Sequence, residues 1–105
     1  MKFLNSLYFQ IRQKEEEINF MNINDRFNIY NNDGNYISYG NMTDSDRFSL
    51  FDTNGKYISY GIFSSKEMFS IYNLEGEQIS YGIMSDSSCF NIYNINAERI
   101  SYGNK

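Results

Sequence analysis

From Phe27 onward the chain runs through four copies of one 21-residue unit, the fourth present for 16 residues, and every copy carries the same tetrapeptide, Ile-Ser-Tyr-Gly. The units run 27–47, 48–68, 69–89 and 90–105, opening on Phe27, Phe48, Phe69 and Phe90. The tetrapeptide falls at Ile37–Gly40, Ile58–Gly61, Ile79–Gly82 and Ile100–Gly103. A short unit at fixed spacing cannot bury its apolar face alone, so neighbours must stack or pair to make one continuous core. This periodicity restricts the shape strongly and the chemistry hardly at all.

Within a unit the pattern is that of a β-hairpin. Phe27 and Ile29 alternate with Asn28, as a half-buried strand requires, and Phe48/Leu50, Phe69/Ile71 and Phe90/Ile92 repeat the pair. A turn follows at Asn31-Asn32-Asp33-Gly34, and a second run places Ile37 and Tyr39 on one face and Tyr36 and Ser38 on the other. The residue before the turn glycine is Asp33, Asn54 or Glu75. Glu tolerates positive φ poorly, so the pattern predicts a type I turn closing on a left-handed Gly with a G1 bulge. Ala97 replaces that glycine in the fourth copy, which predicts a looser or differently turned last hairpin.

Seven residues separate successive hairpins, at 41–47, 62–68 and 83–89, and their polar content reads as loop. One apolar position persists there, at Met42, Phe63 and Met84, and is expected to plug the gap between hairpins. The fold expected is therefore all-β: tandem antiparallel hairpins in an open meander or a hairpin solenoid, although the pattern alone does not decide closure. Residues 1–26 are expected to cap the array or to form a degenerate first repeat. Met21 sits one period before Met42, and Asp25-Arg26-Phe27 echoes Asp46-Arg47-Phe48. Helix or strand is left open for residues 3–17, where Phe3, Leu4, Leu7, Tyr8 and Ile11 share a helical face.

The invariant rows read as structure. Tyr39, Tyr60, Tyr81 and Tyr102 are expected to pack on one another as core, ahead of a ligand-stacking platform. Phe51 stands in the row of Tyr30, Tyr72 and Tyr93, so the hydroxyl is dispensable there. Ser38, Ser59, Ser80 and Ser101 have no base to activate them in a chain without histidine. Gly40, Gly61, Gly82 and Gly103 predict a bend or a close approach between repeats. Carboxylates do not keep register, Cys89 stands alone, and no catalytic site, metal site or cofactor is expected.

The stretches Tyr30…Ile37 and Tyr72…Ile79, Tyr-Asn-x-x-Gly-x-x-Ile, and their counterpart Phe51…Ile58 resemble the YD (RHS-type) repeat. They are also similar to the short hairpin repeats of clostridial toxins and choline-binding modules. The resemblance covers about eight residues of each copy and implies architecture, consecutive hairpins pairing or stacking. Those families form shells or bind glycans; this chain has no Trp for a choline cage, so their functions do not carry over.

A net charge of −4 disfavours a phosphate backbone as partner. No apolar run is long enough to span a bilayer as a helix, and no secretory signal is read at the start, so a cytoplasmic location is expected. The leading expectation is a non-catalytic module presenting an acidic, tyrosine-rich β surface to another protein and self-associating through an unpaired edge or an aromatic face. Its specific form is a small phage or mobile-element inhibitor, anti-CRISPR-like, of a basic nucleic-acid-binding defence protein. A carbohydrate-binding repeat module and a purely structural self-assembling protein are the alternatives. The candidate binding residues are Tyr36, Tyr57, Asp44, Asp46, Glu75 and Glu77.

Overall fold

The computed structural model describes residues 24–105, so the expected N-terminal cap, apart from residues 24–26, lies outside the described residues. Eight strands follow one another: β1 (Arg26–Asn31), β2 (Tyr36–Met42), β3 (Arg47–Asp52), β4 (Tyr57–Phe63), β5 (Met68–Tyr72), β6 (Gln78–Met84), β7 (Cys89–Asn94) and β8 (Arg99–Asn104). Each is antiparallel to the next, and β8 returns to pair with β1, closing a barrel.

Closure corrects the open meander or solenoid, and the register explains it. Ile29 lies opposite Ser38, and Ser38 lies opposite Asp52, two residues beyond Leu50, the counterpart of Ile29 in the next copy. Each copy therefore climbs two residues, and the same step recurs from β4 to β5, from β6 to β7 and from β8 to β1. Four such steps give a stagger of eight residues over eight strands. That is the shear at which a barrel closes with a tilt of about 36° and an interior just wide enough for side chains. No strand edge among the described residues is left unpaired, so the edge expected to drive self-association is absent.

Both kinds of connection are tight. The first hairpin turn has Gly34 N–H donating to Asn31 O at 2.9 Å and Asn31 N–H donating to Asn35 O at 2.9 Å, with φ +87° at Gly34, the expected type I turn with its left-handed glycine. The Asn31 side chain holds it: Oδ1 accepts from the Asp33 and Asn35 amides at 2.9 and 3.0 Å. Asp52, Asn73 and Asn94 do the same in their copies. Ala97 does not loosen the fourth turn. It adopts φ 69° and donates to Asn94 O at 2.9 Å, like the glycines it replaces, because the Asn94 side chain and the flanking ladder impose the conformation. The seven-residue linkers are shorter than expected: pairing continues through Met42 opposite Phe48, leaving loops of only 43–46, 64–67 and 85–88.

A second irregularity overturns the expected faces of the return strand. Tyr30 pairs with Tyr36 but Ile29 with Ser38, so Ile37 is an extra residue opposite no partner, and Ile58, Ile79 and Ile100 repeat the bulge. The bulge shifts the alternation by one. Ser38 and Gly40 therefore line the interior with Phe27 and Ile29, while Tyr39 joins Tyr36 outside and Ile37 is exposed.

Inside, Phe27, Phe48, Phe69 and Phe90 form a closed ring about the axis. Each meets the next edge to face, at centroid distances of 5.4, 5.3, 5.6 and 5.6 Å. Such pairs contribute about 0.5–1.5 kcal/mol each beyond burial. Every ring lies across the glycine opposite it: a Cβ on Gly61 would fall well under 3 Å from three carbons of Phe48. The close approach these glycines permit is thus first of all within a hairpin, ring over facing strand, where one between repeats was expected, and the backbone there needs no positive φ. Ile29, Leu50, Ile71 and Ile92, then Ser38, Ser59, Ser80 and Ser101, fill the barrel towards the turns, all buried. Met42, only 1% exposed, closes the loop end with help from Phe63 and Met84. The apolar position plugs the barrel mouth, where the sequence suggested a gap between hairpins.

Candidate functional site

Among the described residues, the buried polar side chains are the four serines, Ser38, Ser59, Ser80 and Ser101. Chemistry and recognition are left to the outer face, and there the copies differ. The bulge and the stagger together build that face. Tyr102 stacks on Tyr30, Tyr39 on Phe51, Tyr60 on Tyr72 and Tyr81 on Tyr93, at 5.2–5.4 Å and within 22° of parallel. The expected tyrosine core is thus corrected: the rings do pack on one another, but across the seams between copies and half-buried on the outside. Their hydroxyls reach the turn of the next copy, 3.6–3.8 Å from where a Cβ on Gly55, Gly76 or Gly34 would lie.

On the side formed by copies four, one and two the stacks join into a continuous wall. The Arg99 guanidinium lies 4.9 Å over the Tyr102 ring, and Tyr102 stacks on Tyr30. Tyr36 leans on Tyr30 at 6.0 Å, and Arg26 Nη2 donates to the Tyr36 hydroxyl at 3.3 Å. The same guanidinium sits 4.0 Å over Tyr39, which stacks on Phe51, and Tyr57 leans on Phe51 at 5.8 Å. Tyr36 and Tyr57 end as the exposed members, at 41% and 43%. In the third copy the wall stops, because Met68 stands where Arg26 and Arg47 do and Gln78 where Tyr36 and Tyr57 do. Met68 pairs with Ile83 there, giving an exposed aliphatic face instead.

The sequence-based candidates separate into three places. Tyr36 and Tyr57 stand at equivalent positions of the first two hairpins, on one aromatic side. Glu75 and Glu77 belong to the turn around Gly76, while Asp44 and Asp46 lie in the 43–46 loop at the opposite end of the barrel. The carboxylates therefore do not form one acidic patch. Arg26 and Arg99 were not among the candidates, and the signal that could have found them is positional: each sits where the copies disagree about charge. Cys89 is half-buried in β7, and its thiol pKa is raised by desolvation, then by the nearby Asp86 carboxylate and a hydrogen bond to it.

The strands are five to seven residues long around an apolar interior, against about 9–11 residues for a strand that crosses a bilayer. No helix among the described residues is long and apolar enough to cross a membrane. No protein-family model, curated protein or solved structure matches the chain.

Proposed function

We propose that the protein is a non-catalytic binding module that receives another protein on its aromatic side, around Tyr36 and Tyr57. One observation carries this reading: the Phe, Ser and Gly rows inside repeat from copy to copy while the outer face differs, and there Tyr36 and Tyr57 are left exposed, Tyr36 in contact with the Arg26 guanidinium. Tyrosine and arginine are the side chains that protein interfaces favour, since they bring large contact area with few torsions to freeze.

The carbohydrate reading is weaker on the same geometry. A sugar ring docks flat on an aromatic face; each ring of the four stacks has one face covered by its neighbour, and Tyr36 and Tyr57 tilt against Tyr30 and Phe51. The narrower reading, inhibition of a basic nucleic-acid-binding defence protein, would need a partner that engages acidic groups at both ends of the barrel.

The test uses the immobilised full chain to capture proteins from lysate, with and without nuclease. The reading expects a partner kept after nuclease treatment and lost from the Tyr36→Ala/Tyr57→Ala variant, which should melt within a few degrees of the parent. Equal capture by that variant, or binding only to a glycan array, would overturn it.

A further inference from the structure

We infer that the seam between β8 and β1 lets two copies of this chain exchange their last hairpin and close into an intertwined dimer. The inference is independent of the binding reading.

The seam repeats, contact for contact, those that the chain makes within itself. Ile29 faces Gly103 across it, as Leu50 faces Gly40, Ile71 faces Gly61 and Ile92 faces Gly82 elsewhere. Tyr30 stacks on Tyr102 as Phe51 does on Tyr39, and Phe27 meets Phe90 as Phe48 meets Phe27. The difference is covalent. The loops 43–46, 64–67 and 85–88 bridge the other three seams, whereas here the strands are joined only by pairing and by groups such as the Asp25–Lys105 ion pair at 3.4 Å.

The hairpin of β7 and β8 is therefore held to its own barrel by one covalent link, the Ser85-Asp86-Ser87-Ser88 loop. If that loop extends, the hairpin can insert between β6 and β1 of a second copy and recover every contact it left. Among the described residues, only the loop's own bonds change, such as Ser85 N–H donating to Cys89 O at 2.9 Å and the Ser88 and Cys89 amides donating to the Asp86 carboxylate. Because the two closures are otherwise equal, concentration decides between them. A short tether holds the hairpin at an effective concentration in the millimolar range, so exchange competes when chains refold near ~1 mM. Repeats of like register are the kind of chain in which such exchange occurs.

Asn28 and Asn104 face each other across the seam, both on the outer face, so cysteines placed there report whose strand is whose. Cys89 also pairs with position 104 and is removed as Cys89→Ser. The triple variant, Asn28→Cys/Asn104→Cys/Cys89→Ser, is unfolded and refolded under reducing conditions from ~10 μM to ~1 mM. The products are separated by size, oxidised and run on a non-reducing denaturing gel. The expected result is a dimer fraction that rises with refolding concentration and becomes a disulfide-linked dimer on oxidation. A monomer disulfide-closed before unfolding should refold only to monomer. No dimer up to the highest concentration, or dimers that oxidise only within single chains, would overturn the inference.

Discussion

Replacing Gly61 by alanine tests the core directly, because the glycine sits under an aromatic ring rather than at a turn. Its φ is not positive, so the substitution imposes no backbone strain, and reduced freedom of the unfolded chain would by itself add about 0.4–1 kcal/mol of stability. Packing opposes this. The new methyl would lie well under 3 Å from Cζ, Cε1 and Cε2 of Phe48. That ring cannot step aside, since it is wedged against Phe27 at 5.4 Å, Phe69 at 5.3 Å and Phe63 at 5.8 Å. Overpacking a filled core costs about 1–3 kcal/mol, and a methyl driven into a fixed ring belongs at the upper end. The net expectation is a loss of about 2–2.5 kcal/mol, or roughly 10–20 °C in Tm for a domain of this size. Urea and thermal unfolding followed by circular dichroism measure it. Adding Phe48→Leu should give back part of the loss, so the double variant is more stable than the two single losses predict. Gly61→Ala within about 0.5 kcal/mol of the parent, or strict additivity with Phe48→Leu, would refute the account of the core.

Ala97→Gly should stabilise the protein by up to about 1 kcal/mol, because it relieves about 1–2 kcal/mol of left-handed strain against a smaller gain in unfolded-chain freedom. A urea midpoint that rises with unchanged slope would show it. The raised pKa of Cys89 keeps its thiol protonated into alkaline solution, so any stability it gives is present below the unfolded thiol's pKa and lost as pH climbs through the folded value. Asp86→Asn keeps an oxygen for the loop amides but removes the charge, so iodoacetamide should alkylate Cys89 faster at pH 8, and an unchanged rate would count against Asp86 as a cause.

The hairpin and its turn were legible because both depend on local chemistry. Asn31, Asp33 and Gly34 announce the type I turn with its bulge, and the structure has it. Closure was not legible, since it arises from two residues of stagger per copy summed around four copies, a quantity no single unit displays. The faces of the return strand were misread for a different reason. Ile37 is apolar yet bulged outward, while Ser38 and Gly40 are small yet interior, so hydrophobicity points the wrong way at three of four successive positions. The glycine row became intelligible only once the phenylalanines were seen lying across it. At the candidate surface, Tyr36 and Tyr57 were named from the sequence as binding residues, but Arg26 could not be tied to both Tyr36 and Tyr39 without the shift that the bulge introduces.

The four phenylalanines also act as a septum across the bore. With each ring's edge closed against its neighbour's face, neither solvent nor a solute has a route along the axis from the turn mouth to the loop mouth. The turn rim around Glu75 and the loop rim around Asp44 are therefore separated from each other through the lumen by a layer of four rings.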